Sequence, residues 1–218
     1  MPAPEGYVAL REDPYKTHSL VVGYCGSNKR VLEVGCSTGY VSRALQERGC
    51  RVTGIELDAT AAAEARRWCE RVVVGDIETL DLDQLDSGYD VLLLADVLEH
   101  LRDPVAALQR LRPLLSPSGY AVISVPNVAN WAMRLGLLAG RWNYTDRGIL
   151  DNTHLRFFTL RTIRSTLTEG GFQVRTLDLS CPVPLNPPVT VSRLAHSLGH
   201  LRPSFFAYQF VLVAYSLM

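Results

Sequence analysis

Acidic and histidine side chains recur in this chain just where apolar runs stop. Glu33 lies two residues before the first glycine of Val31-Leu-Glu-Val-Gly-Cys-Ser-Thr-Gly39. Glu56 closes Val52-Thr-Gly-Ile-Glu, Asp76 follows Val72-Val-Val-Gly, and Ala95, Asp96, Glu99 and His100 follow Val91-Leu-Leu-Leu. His154 stands much further on, in Asp151-Asn-Thr-His-Leu-Arg-Phe-Phe158. A carboxylate at a strand end can accept both hydroxyls of a ribose. Asp96, Glu99 and His100 are spaced i, i+3 and i+4, so on a helix they share one face and can relay a proton or hold a divalent ion.

The elements that must position these groups read as alternating strands and helices. Strands are expected at 30–35, 51–56, 72–74, 91–94, 120–125, 172–180 and 206–215. Helices are expected at 14–25, 40–48 (Val41, Ala44 and Leu45 inward), 59–69, 103–115, 160–169 and 189–199. Residues 116–119 turn into the fifth strand, and the proline-rich 182–188 is a linker. Such alternation implies a parallel, doubly wound α/β sheet with helices on both faces. Ligands on such sheets bind at the carboxyl ends of the strands, where these acids fall.

Gly35 and Gly39 lack Cβ and can take positive φ, so a ligand can approach bare backbone there. The spacing Gly35-x-x-x-Gly39 is not the dinucleotide fingerprint, and Glu33 beside it would repel phosphates and attract a cation. A ligand with an ammonium at one end and a ribose at the other is S-adenosyl-L-methionine. At these residues the chain resembles the class I S-adenosylmethionine-dependent methyltransferases, with Ser37 standing where a glycine is usual. The alternative is an ordinary strand–turn–helix unit without a ligand. The resemblance implies a Rossmann-like seven-stranded sheet with an antiparallel last strand. The cofactor would lie on Glu33, Gly35, Cys36, Gly39, Tyr40, Glu56, Leu57, Asp76, Ile77 and Ala95. Asp76 would face the adenine amine; otherwise it caps residues 77–80.

Three narrower groups look similar. Small-RNA 2′-O-methyltransferases share Asp96-x-x-Glu99-His100, Pro126-Asn127 and His154 ahead of Phe158-Thr159-Leu160-Arg161. Ubiquinone-biosynthesis O-methyltransferases share the Glu-His stretch. Closer still is the resemblance, to about residue 177, to bacterial methyltransferases associated with sugar and cell-envelope glycosyltransferases, which share Asp151 to Thr159. In the first two groups the motif implies a magnesium-like ion, here on Asp96, Glu99, His100 and His154. The same Leu-Glu-His also occurs in methyltransferases without a metal, where the histidines relay a proton or serve structure. The catalytic groups expected here are His154 and His100, without a metal.

Residues 128–158 form an insert, with Trp131, Leu135, Leu138 and Trp142 at helical spacing and Arg134, Arg141 and Arg147 between them. It reads as a lid over an acceptor, or else as a surface hairpin with solvated arginines. Residues 1–29 would form a helical cap, and His18 is either a surface residue or a wall of the site. The whole, 1–218, is expected to be one domain.

Lysine plus arginine and aspartate plus glutamate both number 22, so no basic field draws nucleic acid. Five cysteines without a C-x-x-C suggest reduced thiols and a cytoplasmic location. No secretion signal opens the chain and no apolar tract is long enough to span a bilayer. The expected reaction is SN2 methyl transfer to a hydroxyl of a small-molecule acceptor. An amine acceptor or a non-catalytic cofactor-binding subunit are the alternatives. The oligomeric state is open, a homodimer included.

Overall fold

A computed structural model describes residues 13–182 and 188–217. The first part of the expected amino-terminal cap and the centre of the proline-rich linker lie outside the described residues.

Strands β1 (Arg30–Val34), β2 (Arg51–Glu56), β3 (Arg71–Val74), β4 (Tyr89–Ala95) and β5 (Leu115–Pro126) pair in parallel in the order β3-β2-β1-β4-β5. The sheet continues with β7 (Gln209–Ser216) and then β6 (Phe172–Ser180). β7 runs antiparallel to both of its neighbours, β5 and β6. The seven-stranded, mostly parallel sheet is the one expected. Its apolar runs are continuous because both faces are covered. Leu92, Leu94, Ile123 and Leu212 face one layer, with Leu108 and Ile163. Val91, Leu93, Val122 and Val211 face the other, with Val21 and Leu45.

The helices are α1 (Thr17–Cys25), α2 (Tyr40–Gln46), α3 (Ala59–Ala65), α4 (Pro104–Leu111), α5 (Trp131–Leu138), α6 (Leu160–Glu169), α7 (Val189–Gly199) and the single turn α8 (Pro203–Phe206). Several expectations need correction. Pro14 lies in a turn before α1 rather than at its first position. On α2, Val41, Leu45 and half-buried Ala44 pack inward as expected, and Ser42 is buried as well because it donates its hydroxyl to buried Glu33. The Ser116–Gly119 turn is a bulge inside β5: Tyr89 pairs with Leu115 and Val91 with Tyr120. The last strand starts at Gln209, since Pro203 opens α8 over residues 203–206. The insert's helix stops at Leu138, and Trp142 leaves it to pack edge-on against Phe157 at 5.3 Å.

β1 has β2 on one side and β4 on the other, and the chain crosses in opposite directions from this point. Ligands of open α/β sheets bind in the crevice outside the carboxyl ends at such a switch. All the strand-end acids therefore come to one edge.

Candidate functional site

The floor of the crevice is the turn from β1 to α2. Gly35 has φ 71°, Ser37 φ 48° and Gly39 φ 82°, three left-handed residues in five. A Cβ on Gly35 would come 2.9 Å from Val97 Cγ2, and one on Gly39 would come 2.9 Å from both Ala65 Cα and Trp68 Cδ1. Ser37 takes the left-handed conformation that its usual glycine would, at a cost of about 1–2 kcal/mol. Its N–H donates to Glu56 Oε2 at 2.7 Å, which holds the strained turn against the end of β2.

Glu56 also accepts the Asp58 N–H on Oε1 at 2.9 Å, so its carboxylate is oriented at the crevice mouth. Next to it Leu57 is 70% exposed, an unusually bare leucine. After β3, Asp76 Oδ1 accepts the Glu78 N–H at 2.9 Å, the capping arrangement that the sequence left open. Ile77 is buried, and Arg110 of α4 donates to the carbonyls of Ile77 and Glu78 at 2.8 Å each. That arginine, which braces the loop after β3, carried no signal in the sequence.

Glu33 and Cys36 sit beneath the turn rather than in the crevice. Glu33 is 3% exposed, accepts the Ser42 hydroxyl and lies near the Cys69 thiol. Burial pushes its carboxyl up to about 8, against the opposing Ser42 hydrogen bond. The Cys36 side chain is buried against Gly54, where a Cβ would lie 2.6 Å from its sulfur. Only the backbone of Cys36 is left to meet a ligand.

The expected shared helix face of Asp96, Glu99 and His100 is not formed. Leu98–His100 is a single 3-10 turn, and Asp96 precedes it with φ 56°. Asp96 lies outside the turn in a left-handed conformation and its side chain leaves the Glu99 and His100 side, while Leu98 is driven into the core. Asp96 Oδ1 accepts from Ser124 Oγ at 2.8 Å and Gln209 Nε2 at 2.9 Å, while His18 Nε2 lies 3.8 Å from Oδ2. Tyr40 Oη is 3.1 Å from the same His18 nitrogen, so α1 does close this side of the crevice. Burial lowers the His18 pKa and the Asp96 charge opposes that shift.

Glu99, His100 and His154 do come together: one ligand atom from each lies within 4.8 Å of the others. The His100 and His154 rings meet edge-on at 4.8 Å. Glu99 is 1% exposed, and neither carboxyl oxygen has a hydrogen-bond partner. Burial, then the Asp96 charge, pushes its carboxyl well above the usual range. His154 Nδ1 is 3.2 Å from the Ile149 carbonyl, so that nitrogen carries the proton and Nε2 keeps its lone pair. Burial lowers its pKa, partly offset by that carbonyl. His100 Nδ1 points at the Thr153 carbonyl, 3.3 Å away.

Trp142, Tyr144 and His154 all surround Phe157, at 5.3, 6.4 and 6.2 Å between ring centroids. Arg141 and Arg147 are exposed and form no ion pair among the described residues, as in the solvated-hairpin reading. Asn127 and Asn130 are committed to structure. Both amides donate to the Ala207 carbonyl, at 2.8 and 2.9 Å, and tie the base of the insert to the start of β7.

A glycine turn at the β1/β4 switch point, acids at the ends of three strands and an antiparallel β7 define a Rossmann-like protein built to hold a nucleoside. The chain belongs to the methyltransferase domain family, whose model matches residues 10–177. Among curated proteins it is similar to the ubiquinone biosynthesis O-methyltransferase of Idiomarina loihiensis, 36% identical over 120 residues, 51% of this chain and 48% of that protein. The enzyme of the same name from Acinetobacter baylyi is 30% identical over 186 residues, 79% of this chain and 77% of that one. The chain thus spans about half the length of the first relative and more of the second. Among solved structures, an S-adenosylmethionine-dependent methyltransferase of Thermotoga maritima, described as a possible histamine N-methyltransferase, superposes with a TM-score of 0.65. It is 17% identical and the match covers 94% of this chain and 90% of that one. No helix among the described residues is long and apolar enough to cross a membrane.

Proposed function

We propose that the chain is an S-adenosylmethionine-dependent O-methyltransferase acting on a small hydroxylated acceptor. The observation that carries this reading is His154, whose Nδ1–H is committed to the Ile149 carbonyl and whose Nε2 is bare and uncharged near neutral pH. A hydroxyl acceptor must lose a proton as it attacks, and a fixed neutral imidazole suits that task.

S-adenosylmethionine supplies an electrophilic methyl on a sulfonium. The crevice fits it: bare backbone at Gly35 and Gly39, a carboxylate at Glu56 for the ribose hydroxyls, and exposed Leu57 as an apolar wall for the adenine. Asp76 keeps Oδ2 for the adenine amine while Oδ1 caps the turn. Alignment of acceptor and methyl group is the remaining contribution of the protein. Trp142, Tyr144 and Phe157 beside His154 favour a flat, largely apolar acceptor such as a phenol. The ubiquinone-biosynthesis relatives support an oxygen nucleophile.

The residues also fit a divalent ion. Glu99 has two buried oxygens without partners, and with His100 and His154 it would hold the ion, which would lower the pKa of the acceptor hydroxyl. Asp96, expected from the motif to join them, accepts from Ser124 and Gln209 and falls outside the group.

Titration calorimetry tests the cofactor site. Wild type should bind S-adenosylmethionine and S-adenosylhomocysteine at micromolar affinity, about −8 kcal/mol. Glu56→Ala should weaken both at least tenfold. Equal binding by the two proteins would remove the proposal.

A further inference from the structure

We propose that Asp178, His196 and His200 form a second site, away from the crevice, that binds one divalent cation of the zinc type. His196 and His200 stand one turn apart at the carboxyl end of α7, and their rings meet edge-on at 4.8 Å. Asp178 is on β6 and turns away from the core layer that takes Leu179. Its Oδ1 lies 2.6 Å from His196 Nε2 and 3.4 Å from His200 Nε2, and all three ligand atoms fall within 4.8 Å of one another.

Two imidazoles from one helix and a carboxylate from a neighbouring strand are a donor set for zinc and its first-row neighbours. Magnesium and calcium prefer oxygen alone. With metal–ligand bonds of about 2.0–2.1 Å, tetrahedral ligands stand about 3.3 Å apart. The His200–Asp178 separation already has that value. The His196–Asp178 separation is a hydrogen bond, which the ion would replace, while Oδ1 also accepts the Leu179 N–H at 2.7 Å. The second carboxylate oxygen is held by Tyr24 Oη at 2.7 Å, the kind of outer partner that fixes a ligating carboxylate. His200, with 41% of its side chain exposed, leaves the fourth position open to water.

The ion would clamp α7 to β6, and through Tyr24 to α1. That helix reaches the crevice at its other end, where Thr17 donates to Gln209 and His18 faces Asp96. The role is therefore structural: the ion would steady a wall of the crevice without taking part in methyl transfer.

The test uses the full chain, stripped with chelator and kept under reductant, in a His100→Ala/His154→Ala background that removes the crevice cluster. Zn²⁺ is titrated against a chromophoric chelator, and Co²⁺ absorption reports the ligand type. One equivalent should bind and raise the melting temperature. Adding His200→Ala should weaken binding at least tenfold, and adding His196→Ala as well should abolish it. Co²⁺ should give d–d bands without thiolate charge transfer, which separates this site from nearby Cys181. His200 caps its helix and is exposed, so His200→Ala should melt like its parent in chelator. Absence of stoichiometric binding in the background, unchanged affinity in His200→Ala or a thiolate band would each overturn the proposal.

Discussion

Replacing Glu33 with glutamine should remove a pH dependence of stability that the buried carboxyl creates. Its carboxyl is shifted from 4.5 to about 8, chiefly by burial. Below pH 4.5 both folded and unfolded chains hold the proton, and the stability contribution is fully present. Between 4.5 and 8 the unfolded chain ionises while the folded one does not, so stability falls as pH rises. At about 1.4 kcal/mol per pH unit, that window is worth on the order of 5 kcal/mol. Glutamine keeps the shape, accepts the same Ser42 hydrogen bond and does not titrate. Glu99, also buried and shifted upward, contributes its slope to both proteins and cancels in the difference. Urea unfolding from pH 4.5 to 8.5 should show nearly equal stabilities at the acid end and Glu33→Gln the more stable above pH 7. A stability difference that stays constant across that range would show that Glu33 is ionised in the folded protein, and the reasoning would fail.

His154→Ala should lower turnover about 10²–10⁴-fold with cofactor affinity nearly unchanged, measured by methyl transfer and calorimetry on the same preparations. Because burial lowers the His154 pKa, the acid limb of the kcat/KM profile should lie below pH 6.5, and the variant should lose it. Gly39→Ala places a Cβ 2.9 Å from the Ala65 backbone at φ 82°, and should cost about 1–3 kcal/mol in urea unfolding. Gly140→Ala, also at positive φ but with nothing within 4 Å, should cost only about 1 kcal/mol and so isolates the crowding. Asp96→Ala should destabilise by about 2–3 kcal/mol, since it removes acceptors for Ser124 and Gln209 in a left-handed conformation; Asp96→Asn, which tolerates that φ, should cost under about 1 kcal/mol.

Local pattern determined much of this molecule. Strands buried on both faces must be largely apolar runs, so β1, β2 and β4 were readable, and the acids after them followed. Gly35 and Gly39 were readable because a left-handed backbone with Val97 over one and α3 over the other tolerates no Cβ there. Tertiary structure decided what the spacing of Asp96, Glu99 and His100 could not. Burial of Leu98 tightened that stretch into a 3-10 turn, turned Asp96 toward β7 and left Glu99 to face His100 and His154. Insertion of β7 between β5 and β6 brought Gln209 to Asp96, and the packing of α1 brought His18. Docking of α7 on β6 set His196 and His200 beside Asp178. Each of these contacts joins residues far apart in the chain, and no local periodicity encodes them, because they arise only when separate elements bury their apolar faces together.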